Sequence, residues 1–479
     1  MFEPLTKDIP TVTTISQRLL TTLSVSALLL GASMNATQAS PEKQAELRTE
    51  ISELLASQNL QLEDGKIIEI VEKDNYYIAT IPSMSAKVNG KKRYTAPGAV
   101  INARPKDDEN WEMKYKLVSP IRIFGTEAND EMKVFIDEQD SEGIWNASLN
   151  NFTYLKSQFE DVSLRDVKEG IVFKFNDVDS LQRIEKAADN LYTARAIIEL
   201  KDMTGTKNNQ VFAKMGDLKI TSVAENADIQ KIQSLASQIF DATDSHEKMQ
   251  EHLADFIYDS EAEISIKDIS FIAPEDSKAN FEGDLIIPEV KLAASLKDSQ
   301  TDKADLKLAL KMIRTPFEND DSLIPQIIDF DINAENIPLQ EIIAQEDMEN
   351  PNQEAVKNAF FNSGFKLGLN SIKVMSSQMG MDFAGDIKAD KGAMLGITSS
   401  INGTIKGLDA MIKMAKQKSA DAPGEVQKGL SFLPMLQLFG QKQGDKDIWT
   451  YDIDVAKDGS VKINGADMSA MMGAMSGKK

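Results

Sequence analysis

Residues 448–463 read Ile448-Trp449-Thr450-Tyr451-Asp452-Ile453-Asp454-Val455-Ala456-Lys457-Asp458-Gly459-Ser460-Val461-Lys462-Ile463. Trp449, Tyr451, Ile453 and Val455 alternate with polar residues, so the two kinds of side chain fall on opposite faces of an extended chain. Asp458-Gly459 is a favoured tight-turn dipeptide. The stretch therefore predicts a hairpin that pairs Ile448–Val455 with Val461–Ile463. One dry face and one wet face is the antiparallel pattern.

The same alternation recurs upstream. Trp111, Met113, Tyr115 and Leu117 are separated by Glu112, Lys114 and Lys116; Leu306, Leu308, Leu310 and Met312 by Lys307, Ala309 and Lys311. Met381, Phe383 and Ile387 stand around Asp382 and Asp386, and Asn89-Gly90 and Asn464-Gly465 supply further tight turns. In one place the phase slips. Phe365, Leu367 and Leu369 give way to Ile372 and Val374, which keeps one core face only if a bulge or bend lies between. The expected fold class is α+β: a curved, mainly antiparallel β-sheet with short amphipathic helices packed on it.

Helical signals are fewer. Ser40 can cap, Pro41 suits a first helical position, and Leu47, Ile51, Leu54 and Leu55 form one stripe. Four strand-like runs lead through a short polar turn into helical spacing: Ile171–Phe175 into Leu181, Ile184 and Ala188; Leu218–Thr221 into Ile229 through Phe240; Ile327–Ile332 into Leu339, Ile342 and Ile343; and Ile401–Ile405 into Leu408, Met411, Ile412 and Ala415. Any α+β protein has such joins, and their spacing is irregular, so no solenoid follows. Residues Ala227–Asp259 carry the longest helical pattern, interrupted at Asp241-Ala242-Thr243 and restarted by Asp244 with Glu247. Ala344–Ala359, with Asn350-Pro351-Asn352, reads as a polar connection, and Ser419–Gln427 as a loop. The expected organisation is a signal peptide over 1–39, a β-rich N-terminal half over 40–226, a helical connection over 227–260, and a β-rich C-terminal half over 261–479 ending in a Met-rich tail.

The compartment is read from the first forty residues. Leu19 to Ala32 are apolar or small, Arg18 precedes them, and Thr37-Gln38-Ala39 offers a cleavage site before Ser40. This is the pattern of a secretory signal peptide. An uncleaved anchor and a cytosolic core segment are the alternatives, since Glu3 and Asp8 offset Lys7 and Arg18. Export implies a periplasmic location. No later stretch is long and apolar enough to predict a membrane span.

Composition narrows the function classes. The 479 residues include 53 basic and 75 acidic side chains, a net charge of −22, and no cysteine. Nucleic acid is a poor partner for such a surface, because affinity there comes from neutralising phosphates. Disulfide scaffolds, thiolate metal sites and thiol catalysis are excluded. Only His246 and His252 exist, and a six-residue spacing leaves them about 120° apart on a helix, unlike a zinc pair. No Gly-x-Ser-x-Gly elbow or phosphate-binding glycine loop occurs. Acidic clusters such as Asp107-Asp108-Glu109 and Asp320-Asp321 carry little information in so acidic a chain. Asp137–Gly143 has oxygen ligands and a glycine but lacks calcium-loop spacing. Neither catalytic residues, nor a cofactor, nor a resident metal is therefore expected.

The tail is distinctive. Met468, Met471, Met472 and Met475 fall at i, i+3, i+4 and i+7, the spacing of an apolar helix stripe. Thioethers suit Cu(I), but a flexible Met stripe that docks on a partner groove is the plainer reading.

The C-terminal third resembles envelope proteins of uncharacterised Gram-negative families that are loosely similar to the AsmA-like proteins. The likeness rests on the alternating strands of Ser363–Ile405 with Gly385-Asp386, the helical pattern of Gly407–Lys416, and the closing strand Val461-Lys462-Ile463-Asn464-Gly465. The resemblance implies an extended curved sheet, an envelope location and a role in lipid handling or outer-membrane upkeep. AsmA-like proteins usually keep an N-terminal anchor, whereas the apolar segment here looks cleavable. The expected function is non-catalytic: a lipid or other apolar ligand held in a curved sheet, or alternatively a protein-interaction or assembly role in the envelope.

Overall fold

The computed structural model describes residues 41–57, 60–63, 65–88, 91–107, 109–124, 131–231, 258–272, 285–301, 303–316, 325–343, 352–418, 434 and 436–468. It is mostly antiparallel β-sheet, 65% strand and 12% helix, and the sheet is not closed. Among the described residues no helix is long and apolar enough to cross a membrane. The proposed leader, residues 1–39, lies outside the described residues, as do His246 and His252.

The chain divides into two compact units. One comprises Met1–Val211 with Asn226–His252, the other Phe212–Glu225 with Leu253–Lys479.

The N-terminal unit opens with helix α1 (Pro41–Ser57), whose Leu47, Ile51 and Leu55 are buried as the stripe predicts. Two branches of strands follow. One runs β2 (Glu69–Lys73), β3 (Tyr76–Ile81), β6 (Ala99–Pro105), β7 (Asn110–Leu117) and β10 (Glu138–Asn146). The other runs β1 (Leu60–Leu62), β4 (Met84–Val88), β5 (Lys91–Ala96), β8 (Ile121–Phe124) and β9 (Glu131–Phe135). Both branches end on the long strand β11 (Asn151–Asp166): its first part pairs with β10 and its last four residues with β9. Asp161, at a left-handed φ of +50°, marks the change. The helix touches β1 and β2, one strand from each branch.

The alternating apolar positions that face the core are buried in both branches. Trp111, Met113, Tyr115 and Leu117 are all within 8% exposure, and Tyr77, Met84 and Trp145 are likewise dry. Tyr77 meets Trp111 edge-on at 5.7 Å, and Trp145 meets Phe152 at 5.4 Å. This is a closed core.

One expectation fails here. Leu181, Ile184 and Ala188 are not helical: β12 (Ile171–Ala188) is a continuous strand that pairs with β11 on one side and β13 (Leu191–Lys207) on the other. The β13 ladder runs the length of this segment and the β11 ladder reaches Arg183; they outweigh a chance helical spacing because they satisfy backbone groups along the strand.

The C-terminal unit is a meander. In hydrogen-bonded order it runs from residues 212–225 of β14 (Gln210–Ala227) through β15 (Asp259–Phe271), β16 (Leu285–Lys297), β17 (Ala304–Ile313), β18 (Ile327–Ile337), β19 (Lys366–Met375), β20 (Gly380–Ala389) and β21 (Ile397–Lys406). β23 (Ile448–Val455) then pairs with β21, and its other edge takes β22 (Gln441–Lys442) and β24 (Val461–Ile463), which turns into β25 (Ala466–Asp467). Each of these pairs is antiparallel. The hairpin over Ile448–Ile463 forms in the expected register, Ile453 opposite Ile463 and Val455 opposite Val461, with Gly459 at φ +80°. Asn464 and Gly465 both take positive φ, the tight turn their dipeptide predicts. The phase slip in β19 is a bulge at Asn370: Leu369 and Ser371 face consecutive residues Ile332 and Asp331.

Short helices join the strands. α2 (Leu339–Ile343) follows β18 and α4 (Leu408–Lys418) follows β21, as the strand-to-turn-to-helix pattern predicts, and residues 229–231 after β14 are helical. α3 (Gln353–Ser363) occupies part of the stretch read as a polar connection. Asn352 caps it by accepting from Glu354 N and Ala355 N, and Gly364 ends it in the left-handed region.

Candidate apolar face of the C-terminal unit

Cross-strand register assembles one face of this unit from apolar residues alone over several strands. Ile264, Leu292, Leu310, Phe330, Ile372 and Phe383 are successive neighbours from β15 to β20. The next row toward one end of the strands is Ile266, Val290, Met312, Ile328, Val374 and Met381; toward the other it is Ala262, Ala294, Leu308, Ile332 and Leu369. A fourth row holds Leu296, Leu306, Ala334, Leu367 and Ile387. The Asn370 bulge is what keeps Leu367 and Leu369 on the same face as Ile372 and Val374.

None of these residues is buried. Leu292 is 46% and Leu308 49% exposed, where comparable alternating residues of the N-terminal unit are dry. Six strands about 4.8 Å apart and four rows about 6.7 Å apart span roughly 24 by 20 Å. An apolar area of that size, roughly 500 Å², matches the largest patch of a typical soluble monomer, and such patches are often functional.

Among the described residues the face closes at its β21–β23 end. There Ile405, Leu408, Ile412, Trp449 and Tyr451 form a buried cluster, with Phe383, Leu436, Ile453 and Ile463 packed beside it. Gly407, at φ +78°, turns the chain from β21 into α4. The Tyr451 hydroxyl donates to Leu436 O at 2.9 Å, and burial pushes its ionisation up to about 12.

The opposite face is wet and ionic. Lys291 pairs with Glu263 at 2.9 Å, Lys311 with Glu289 at 3.2 Å, Lys307 with Asp331 at 3.4 Å and Lys373 with Asp382 at 2.9 Å. The hydrogen bond to Asp382 raises Lys373 above the usual lysine range. Exposed pairs of this kind contribute at most about 1 kcal/mol each. Their larger effect is to fix which side of the sheet stays in water.

The residues singled out from sequence are described only in part. Met468 is half-buried, follows β25, and donates its amide to Val461 O at 2.7 Å; Met471, Met472 and Met475 lie outside the described residues. Asp137–Gly143 falls largely within strand β10, so Glu138, Asp140 and Glu142 are spread along a line rather than folded around a point. Among the described residues no group of acidic or histidine side chains could hold a metal ion. Asp107 serves its own turn: the Glu109 amide, Asn110 Nδ2 and nearby Lys106 hold its carboxyl below the usual range.

A shallow concavity of about 480 Å³ lies on the wet side of the N-terminal unit, over Arg104, Glu112, Lys114 and Glu142. Its charges neutralise one another, Arg104 with Glu112 and Lys114 with Glu142. What period-two alternation could not disclose was which apolar face would be covered. The sequence carries no signal that distinguishes the open one, because alternation reports only that a face is apolar.

No family model, curated protein or solved structure matches the chain.

Proposed function

We propose that this is a non-catalytic periplasmic envelope protein whose C-terminal unit holds a lipid, or another ligand of long aliphatic chains, on its apolar sheet face. The exposed apolar rows from β15 to β20 carry this reading. Their side chains offer no hydrogen-bonding group, so a ligand that fits them needs none along its length. Each methylene removed from water there contributes up to about 0.8 kcal/mol. An acyl chain meets that description better than a sugar, a nucleotide or a metal.

The export pattern of residues 1–39 supports the envelope setting, where acyl chains are abundant. Cell fractionation with sequencing of the first residue checks it; Ser40 at the N-terminus of periplasmic material is expected, and cytosolic protein that retains Met1 contradicts it. Native mass spectrometry of protein purified without detergent checks the ligand. Adducts in the mass range of fatty acids or phospholipids are expected; a bare polypeptide mass, or a co-purified protein in place of lipid, favours the assembly-factor alternative.

A further inference from the structure

The most exposed large apolar residue described is Met394, at 80%, followed in the same turn by Leu395 at 48% and Ile397 at 40%. All three lie in or beside the connection between β20 and β21, residues 390–396. This turn is built rather than loose. Asp390 N donates to Gly396 O at 3.0 Å, Ala393 N to Asp390 O at 3.0 Å, and Gly396 N to Ala393 O at 2.9 Å. The Asp390 carboxylate accepts from Gly392 N at 2.8 Å and pairs with Lys457 at 2.8 Å.

Two neighbours buttress it. Met394 N donates to Lys457 O at 2.8 Å, in the adjoining β23–β24 turn, and Met394 lies against Gly459, where an added Cβ would stand 3.0 Å from its own Cβ. On another side the Phe361 ring of α3 lies against Gly396, and Lys357 Nζ sits 5.7 Å above that ring. Met394 and Leu395 are thus held outward by a fixed frame. A side chain that merely failed to find a core would not be framed so fully.

The chemistry of the tip narrows what it meets. The amides of Ala393, Met394 and Gly396 are already bonded within the protein, so strand addition by a peptide finds few donors there. The turn is a projection at the end of two strands, and it offers only aliphatic side chains flanked by Lys357, Lys391 and Lys457. In a chain of net charge −22, those three lysines outnumber the two nearby aspartates, Asp390, which pairs with Lys457, and Asp458, which accepts from the Ser460 amide, so the tip repels an anionic surface less than the rest of the chain. Apolar side chains ringed by lysines suit the boundary between lipid headgroups and acyl chains.

We propose that the 393–397 turn is a membrane-contacting tip, which seats Met394 and Leu395 in the surface of a lipid bilayer. This goes beyond the acyl-binding face and stands on separate residues. A protein with both features could touch a bilayer at the turn and hold aliphatic chains on the sheet.

The test is flotation of the full-length chain with vesicles of phosphatidylethanolamine and phosphatidylglycerol, comparing wild type with Met394→Ser/Leu395→Ser. Wild type is expected to float with the vesicles and the double variant to partition about tenfold more weakly, with a denaturation midpoint little changed because Met394 and Leu395 are 80% and 48% exposed. A Met394→Trp variant is expected to blue-shift its emission when vesicles are added. Wild type that fails to float, equal partition of the double variant, or an emission that does not move overturns the proposal, as does loss of a protein partner by the double variant at unchanged vesicle binding. Displacement of a fluorescent fatty acid in vesicle-free solution should be the same for wild type and the double variant, which separates failure of the tip from failure of the sheet face.

Discussion

Asp447 caps helix α4 from 38 residues further along the chain: its Oδ1 accepts from Asp409 N at 3.0 Å, and the same atom accepts from Trp449 Nε1 at 3.1 Å. Oδ2 takes Ala410 N at 3.2 Å. Gly407 has no side chain with which to cap α4, so the cap comes from the loop before β23. Asp409, whose carboxyl is held low chiefly by Lys442, in turn binds Lys442 and Gln437. One carboxylate therefore ties α4 to the strand it covers. Asp447→Ala should cost about 1–2 kcal/mol, read as a lower denaturation midpoint, with Asp447→Asn losing less.

The contrast between the two units predicts unequal responses to truncation. Trp111→Ala removes a fully buried ring and should cost about 3–5 kcal/mol. Leu308→Ala, at a half-exposed position, should cost less than about 1 kcal/mol. Urea unfolding of both variants measures this, and equal losses would mean that Leu308 is covered.

The Asn370 bulge keeps two halves of β19 in phase. Asn370 itself is exposed and its Nδ2 donates to Asp331 Oδ1 at 3.0 Å. Asn370→Ala should therefore cost under about 1 kcal/mol. Deletion of Asn370 should do far more, since a one-residue slip turns Leu367 and Leu369 toward the wet face. Circular dichroism with thermal unfolding distinguishes the two.

Tyr115 gives the N-terminal unit a pH signature. Burial pushes its ionisation up to about 12, against the smaller opposing effect of hydrogen bonds with Ser141 and Ser157. The folded state thus favours the neutral phenol over the unfolded chain, where ionisation sets in near pH 10. This stabilisation is complete below about pH 10 and is lost as pH rises toward 12. In Tyr115→Phe the fall in stability between those values should be shallower, as measured by urea midpoints across the range.

Much of the sheet was legible in the residues. Trp111 to Leu117, Leu306 to Met312 and Ile448 to Ile463 announced their strands by alternation, and the slip between Leu369 and Ile372 announced its bulge. Leu181, Ile184 and Ala188 misled because three apolar residues at helical spacing carry less weight than the ladders with β11 and β13, whose pairing residues lie outside the local window. The helix over Gln353–Ser363 went unread although Asn352 and Gly364 bracket it. The openness of the C-terminal face was illegible for a different reason: alternation reports that a face is apolar, and only the arrangement of neighbouring elements decides whether anything lies on it. Met394 and Leu395 were hidden likewise, as two apolar residues in a short turn look like ordinary strand ends until their exposure is seen.

The most direct measurement is displacement of a fluorescent fatty acid from wild type and from a Leu292→Asp/Leu308→Asp variant. These two carboxylates would stand in adjacent rows on neighbouring strands, at positions already near half exposure, so the variant should fold. The account predicts saturable binding by wild type and its loss in the variant, which keeps a cooperative urea transition. Binding that survives both aspartates, or a wild-type protein that takes up no fatty acid, would contradict it.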